Sequence, residues 1–455
     1  MTEKVIKMDF YNHLEKELNQ IKNDNLYRDF KMLSSKPDAY VEYKGNKVLQ
    51  MSSNNYLGLA GDPRITSAVI KAVEKYGVGS TGSRLISGTH KLHTELEEKL
   101  AELKETEKAL VFSTGYTANI GAISALLTEK DAVYSDELNH ASIIDGIKLS
   151  RANKFIYKHC DTQNLERLLE ENHKKYRFNV IITDSVFSMD GDIAPLKEIV
   201  DLKEKFNAVL FLDEAHAFGI YGEKGQGLAH ELGLNHKIDI QMGTLSKAAG
   251  SEGGYICGKS ELIEYLRNKA RSFIFSTAPS IPAIAASIKA VEIIGSDFEL
   301  RKRLWENIGY FSSVIAKSEA TKQSIQLTSK CYPEGFSPKD LSDNENSLLD
   351  RSPPSSGIFN PQSGFPASLR MTRGLGMTEE LARTKRQQSA IFCIKFDDIE
   401  KTLQISQELL EKHHIMASCI RPPTVKTPRI RLCTMALHTK QDLDYVLEKL
   451  SLFHN

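Results

Sequence analysis

The chain has 455 residues, 41% of them hydrophobic and 26% charged, and its 59 basic and 59 acidic side chains give a formal net charge of +0. The length exceeds one simple core, and the balanced charge offers none of the basic surplus that a nucleic-acid partner selects. No segment reaches the roughly 18 uninterrupted apolar residues of a membrane span, and the charged opening run MTEKVIKMDF lacks a signal peptide's apolar core; a cytoplasmic protein with no membrane span is expected.

In chain order, the sequence divides into an N-terminal arm (1–50), a large domain (51–290) and a smaller α+β C-terminal domain (291–455). Leu92, Leu96, Leu100 and Leu103 recur on one face of a 3.6-residue period and predict a core-facing helix. The Gly-rich stretch GVGSTGSRLISGT at 77–89 follows a helical pattern where a dinucleotide loop would follow a strand, so it is not a dinucleotide-binding turn. From about 106 to 290, apolar runs alternate with helical patterns, the signature of helices packed on a mostly parallel sheet. NVIIT (179–183), AVLFL (208–212) and IDIQM (238–242) read as buried strands. Polar residues follow each at once: Asp184 to Ser188, Asp213 to His216, and Thr244 to Lys247. Ligands in open α/β sheets bind beyond the carboxyl ends of strands, so the three clusters can line one site.

Residues from about 320 to 388 are rich in Ser, Pro, Asn and Gly without clear periodicity, which predicts a flexible surface insertion, with a lid or partner-binding arm as the functional alternative. Beyond it, Leu403, Leu409 and Leu410 follow the capping candidates Asp397 and Asp398, and Leu443, Val446, Leu447 and Leu450 form a last stripe. The six cysteines (Cys160, Cys257, Cys331, Cys393, Cys419, Cys433) show no paired spacing, so free thiols and no metal site are expected.

Lys247, in GTLSKAAGSEGGY, stands just past a strand with small residues on both sides. A lysine with its ordinary pKa of about 10.4 is a poor nucleophile until burial or imine formation changes it, and the small neighbours leave room for a ring. Asp213 and His216, in DEAH, bring an acid and an imidazole to the same edge. A buried carboxylate needs a cationic partner, and a protonated pyridine nitrogen is one; the alternative is a capping Asp with a core histidine. The helicase motif of the same letters needs a GxxxxGK[ST] loop, and the sequence contains none. STGYTAN at 113–119 sets Gly115 and Tyr116 at the start of a helix-like stretch, where free amides hold anions, and Thr244 adds a hydroxyl.

These motifs, with SSNNYLGL (52–59), ELNHASIIDG, SVFSMDGD and ARSFIFSTA (270–278), resemble the α-oxoamine synthase family of pyridoxal-phosphate enzymes. The likeness runs from 52 to 278 and resumes from about Ser389 to the end. It implies a fold-type I PLP-dependent transferase, with a mostly parallel seven-stranded sheet plus a smaller α+β domain. Pyridoxal 5'-phosphate would be carried by Lys247 as an imine, with Asp213 at its ring nitrogen and His140 on its ring face. His216 and Ser188 would bond its substituents, and Gly115, Tyr116 and Thr244 would lie at the cofactor and its phosphate. The substrate is implied at Asn54, His140 and Thr424 (in IRPPTV), and at Arg28; Arg431, in PRIRL, is a candidate for a substrate carboxylate. The segment between Thr424 and Arg431 is shorter than the family's Gly-containing turn.

The activity so implied is a decarboxylative Claisen condensation of an amino acid with an acyl-CoA or acyl-carrier-protein thioester by a homodimer. GSRLISGT and IRPPTV favour L-alanine with a pimeloyl thioester, in biotin biosynthesis. Sister members instead join glycine to acetyl-CoA or succinyl-CoA, or serine to a long-chain acyl-CoA. A simple aminotransferase and a catalytically inactive interaction subunit are the readings from other classes; the latter would dispense with Lys247, Asp213 and His140.

Overall fold

The computed structural model describes residues 9–321 and 389–453, which belong to one compact unit. A hairpin of β1 (Tyr40–Tyr43) and β2 (Asn46–Gln50) opens it, turned by Lys44 and Gly45, both at positive φ, as a two-residue turn matched to strand twist requires. Seven further strands make the main sheet: β3 (Lys108–Phe112), β4 (Ala132–Asp136), β5 (Asn153–Tyr157), β6 (Asn179–Asp184), β7 (Val209–Asp213), β8 (Ile240–Thr244) and β9 (Gly254–Gly258). Their spatial order is β3-β9-β8-β7-β6-β4-β5. β9 runs antiparallel to both neighbours, whereas β8, β7, β6, β4 and β5 are mutually parallel.

The apolar runs in β4 and β6 are unbroken because both strands are buried at every position. Successive side chains serve opposite faces. Leu210 and Leu212 join one hydrophobic cluster with Leu96, Leu100 and Ile181, while Phe211 joins the other with Val180, Ile182, Ile123 and Ile143. The predicted leucine stripe lies on the helix Lys91–Leu103, and 77–89 follows the helix Pro63–Tyr76. β8 begins two residues later than IDIQM suggests. Ile238 closes the short 3-10 turn Asn235–Lys237, its amide donating to the Asn235 carbonyl at 3.2 Å, and the strand runs on through Gly243 to Thr244.

The helix Phe298–Thr321 leads out of this part of the chain. The expected insertion lies, from residue 322 onward, outside the described residues. The smaller C-terminal domain contains β10 (Ile391–Lys395), β11 (Ile415–Met416), β12 (Ser418–Ile420) and β13 (Arg429–Cys433). β13 pairs antiparallel with both β10 and β12, and β11 adds to β2. Asp398 caps the helix Ile399–Glu411 through the Lys401 amide, and a reciprocal Thr439–Asp442 box caps Lys440–Ser451. Among the described residues no helix is long and apolar enough to cross a membrane.

One buried ion pair fixes the turn after β7. The Lys104 ammonium, fully buried, donates to the Glu214 carboxylate and to the Gln226 carbonyl, and the other Glu214 oxygen accepts from the Ala229 amide at 2.9 Å. Removing one member leaves an uncompensated charge in the interior. Lys104→Met is therefore expected to destabilise the fold by about 3 kcal/mol or more, read as a lowered urea midpoint, and Glu214→Gln added to it should recover part of the loss; an unchanged midpoint in the single variant would contradict this account.

Candidate active site

Because β6, β7 and β8 are parallel neighbours, their carboxyl ends coincide. Asp184 stands directly opposite Asp213, and Asp213 opposite Met242. Both carboxyl groups are buried. One Asp213 oxygen accepts from the Asn119 side-chain amide at 2.8 Å and the other from the Ala215 amide at 2.9 Å. Asp184 accepts from the His140 amide at 2.8 Å. Burial, then the neighbouring charge of Asp213, pushes the Asp184 carboxyl well above the ordinary carboxylate range.

Lys247 sits three residues past β8 in a loop closed by bonds from the Leu245 amide to Gly253, from Gly250 to Lys247 and from Ser251 to Leu245. Its ammonium is largely cut off from water, and this desolvation lowers the pKa to about 8 against the opposing pull of Asp213 and Asp184. Near neutral pH a useful fraction is therefore the free amine. His140 caps the helix Ala141–Ser150, its Nδ1 2.7 Å from the Ser142 hydroxyl. Burial lowers its pKa, which Asp213 raises and Lys247 lowers. His216 is buried, and desolvation with the charges of Lys247, Arg431 and His140 drives its pKa well down, so the ring is neutral. Its Nδ1 lies 2.7 Å from the Tyr56 hydroxyl. These mutual influences bring Lys247, Asp213, His140 and His216 into one cluster.

The helix Gly115–Leu126 starts beside it. Thr114 and Thr117 cap each other's amides, and the amides of Gly115 and Tyr116 lie in the first turn, where intrahelical acceptors are lacking. A side chain at Gly115 would meet Met242 Cε at 3.2 Å and Thr244 Oγ1 at 3.3 Å. Gly254 lets β9 come equally close, since a Cβ there would stand 2.5 Å from the Gly115 Cα. Thr244 donates to the Gly253 carbonyl and lies 2.9 Å from the Ser246 hydroxyl. The Tyr116 ring meets His140 edge-on at 6.2 Å, its hydroxyl on Asp145. The buried Asn119 Oδ1 is without a hydrogen-bond partner among the described residues. A glycine cradle, a carboxylate at one end and an amine at the other fit a flat, phosphorylated pyridine.

On the opposite side Arg431, buried in β13, donates through Nε to the Ser188 carbonyl at 2.6 Å and through a terminal nitrogen to Asn54 Oδ1 at 3.0 Å. Asn54 Oδ1 also accepts from the Tyr56 hydroxyl at 3.1 Å. Ser188 thus meets Arg431 through its backbone. Arg28 donates to the Pro422 carbonyl at 3.3 Å, Arg421 donates to Tyr27, and the Thr424 amide closes on Arg421. Among the described residues no hydrogen bond or ion pair joins Arg28 or Thr424 to the Lys247 cluster.

Two residues of the cluster were not singled out from the sequence, Tyr56 and Asn119. Each stood inside a quoted motif, and Asn119 had a usable signal, a polar side chain in an otherwise apolar helical stretch; Asp184 was marked only as the first residue of a strand-end polar cluster.

Residues 46–336 and 370–450 match the family described as aminotransferase class I and II. The chain is 51% identical over 302 residues to an 8-amino-7-oxononanoate synthase of Thermoanaerobacter pseudethanolicus, covering 66% of this chain and 76% of that one. It is 40% identical over 441 residues to the synthase of that name from Thermosipho melanesiensis, covering 96% of each. Among solved structures, a serine palmitoyltransferase from S. paucimobilis with bound PLP-myriocin aldimine aligns over 97% of both chains with a TM-score of 0.78 and 26% identity.

In protein freed of any bound carbonyl compound, Lys247 should titrate near 8, measured by the pH dependence of its reductive methylation. Asp213→Asn removes a charge that raises this pKa and should shift the titration lower; a Lys247 that titrates with the surface lysines would contradict the geometry.

Proposed function

The chain belongs to the aminotransferase class I and II family, and we propose that it is a pyridoxal 5'-phosphate-dependent acyltransferase that joins L-alanine to a pimeloyl thioester, giving 8-amino-7-oxononanoate for biotin biosynthesis. The new carbon–carbon bond links alanine Cα to the thioester carbonyl; the thiol departs, and the alanine carboxylate leaves as carbon dioxide. What carries the reading in the structure is Lys247, an amine held near pKa 8 at the same strand edge as the hydrogen-bonded carboxylate of Asp213. The substrate pair rests on the 40–51% identity to synthases of that name.

When bound, pyridoxal phosphate supplies an electron sink for charge that develops on the substrate carbon. Lys247 would hold it covalently and, once released, carry a proton at Nζ to and from that carbon. Asp213, kept in place by Asn119 and the Ala215 amide, would pair with the protonated ring nitrogen, and His140 would cover the ring face. His216, neutral and tied to Tyr56, and Ser188 would bond the ring substituents. The first-turn amides of Gly115 and Tyr116, with Thr244, would take the phosphate. Arg431 and Asn54 would orient the amino-acid carboxylate, and Arg28 and Thr424, joined through the 421–424 loop, would meet the acyl substrate.

The partition into an arm, a large cofactor domain at 51–290 and a C-terminal domain from 291 belongs to the same reading, as does a homodimer. Exposed Val78, Leu85 and Ile86 offer the Gly-rich segment to a second copy. Serine with a long-chain acyl-CoA is the competing pair, because serine palmitoyltransferases share the fold, at 26% identity.

L-alanine, glycine and L-serine, each offered with pimeloyl-CoA or acetyl-CoA, should release thiol fastest from alanine with pimeloyl-CoA; preference for glycine with acetyl-CoA overturns the assignment. Lys247→Ala should abolish turnover with every pair, and activity retained in it would refute the mechanism. Arg431→Lys should raise KM for L-alanine about tenfold or more, as loss of a two-point carboxylate contact does.

A further inference from the structure

Ser188, whose carbonyl fixes the Arg431 guanidinium, sits at the tip of a loop that follows β6. The base of that loop is closed by the Ser185 amide on Asp213, the Ala194 amide on Ser185, and a bridge between Val186 and Ile193. Its tip leans on the C-terminal sheet. Asp190 pairs with Arg429 and, at 3.2 Å, with Lys395, and the Met189 carbonyl meets the Cys393 thiol. The His159 side chain grips it as well. His159, two residues past β5, sets Nε2 2.9 Å from Asp192 in this loop and Nδ1 3.0 Å from Asp136 at the end of β4. Phe187 stands edge-on to the same ring at 4.4 Å.

Burial disfavours charge on this imidazole, but the two carboxylates overcome it and hold its pKa near 10, so both ring nitrogens carry protons at neutral pH. The Asp136, His159 and Cys160 ligand atoms gather within 4.8 Å of one another. Each ring nitrogen already faces a carboxylate, Nδ1 that of Asp136 and Nε2 that of Asp192, so the ring acts as a clamp between two acids. Asp136 is further fixed by the Leu138 amide at 2.8 Å and the Cys160 amide at 2.9 Å, which makes it the rigid end.

We propose that His159 is a positioning residue for amino-acid binding: its imidazolium ties the Ser185–Ala194 loop to β4, and through the Ser188 carbonyl it sets where the Arg431 guanidinium points. This rests on the reading that Arg431 binds the substrate carboxylate. A group acting through Arg431 changes capture of the amino acid more than the bond-making that follows, which separates it from a general loss of fold.

The test uses the full-length enzyme with its cofactor, L-alanine and pimeloyl-CoA, and compares His159→Phe, Asp192→Asn, Arg431→Lys and the His159→Phe/Arg431→Lys pair. His159→Phe should raise KM for L-alanine about tenfold with kcat within about threefold and KM for pimeloyl-CoA unchanged, the size expected for losing a charge-assisted bond that orients a binding group. Asp192→Asn, which keeps the shape, should move KM the same way by less, and it answers the question even if His159→Phe fails to fold. In the Arg431→Lys background, His159→Phe should add less than about twofold, since coupled residues are not additive. An L-alanine KM that neither His159→Phe nor Asp192→Asn moves while Arg431→Lys does overturns this proposal alone. Full additivity in the double variant, or a fall in kcat with KM intact, overturns it as well. An L-alanine KM that Arg431→Lys leaves unchanged sinks the assignment of Arg431 and this proposal with it.

Discussion

Side-by-side parallel pairing of β6, β7 and β8 is the constraint on which the site depends. Each strand is buried almost throughout, and the charged side chains they carry, Asp184 and Asp213, stand only where the strands end. Parallel register brings those ends to one edge. Asp184 and Asp213 stand opposite each other there, and the loop after β8 delivers an amine to the same place. Neither carboxyl group has water to spread its charge, which is why one is pushed toward its neutral form and why both act on Lys247.

The rest of the architecture holds this edge still. Lys104 and Glu214 lock the turn beyond Asp213 from beneath, Gly254 admits β9 against the start of the helix at Gly115, and Arg431 joins the C-terminal sheet to Asn54 and Ser188. The cluster is therefore assembled from segments far apart in sequence, each contributing one or two groups. Preorganisation of this kind lets a lysine of lowered pKa face a carboxylate without collapsing into a plain ion pair, because Asn119 and the Ala215 amide already occupy the acid.

His140 and His216, which belong to this machinery, are held toward the neutral form, whereas His159, outside it, is charged. Burial lowers the pKa of both His140 and His216, in His140 against the pull of Asp213 and in His216 with the help of the charges of Lys247 and Arg431, whereas His159 keeps its proton because two acids enclose it. One residue type thus serves as a flat neutral surface in one place and as an ionic tie in another, and only the surrounding charges distinguish the two.

The amino-acid sequence by itself determined the class of fold, the three strand-end clusters and Lys247, because unbroken apolar runs and the polar residues that follow them are local signals, legible without a partner segment. It also marked the cradle at Gly115, the cap at Asp398 and the apolar stripe of the C-terminal helix, though not that helix's cap at Thr439. Tertiary structure decided what periodicity does not encode: that Tyr56 and Asn119 would complete the cluster, that Asp184 would oppose Asp213, that Ser188 would present its carbonyl to Arg431, and that Arg28 would reach the 421–424 loop. Those pairings join residues up to 394 positions apart, and they exist only once sheet register and loop packing have fixed which side chains share a low-dielectric space.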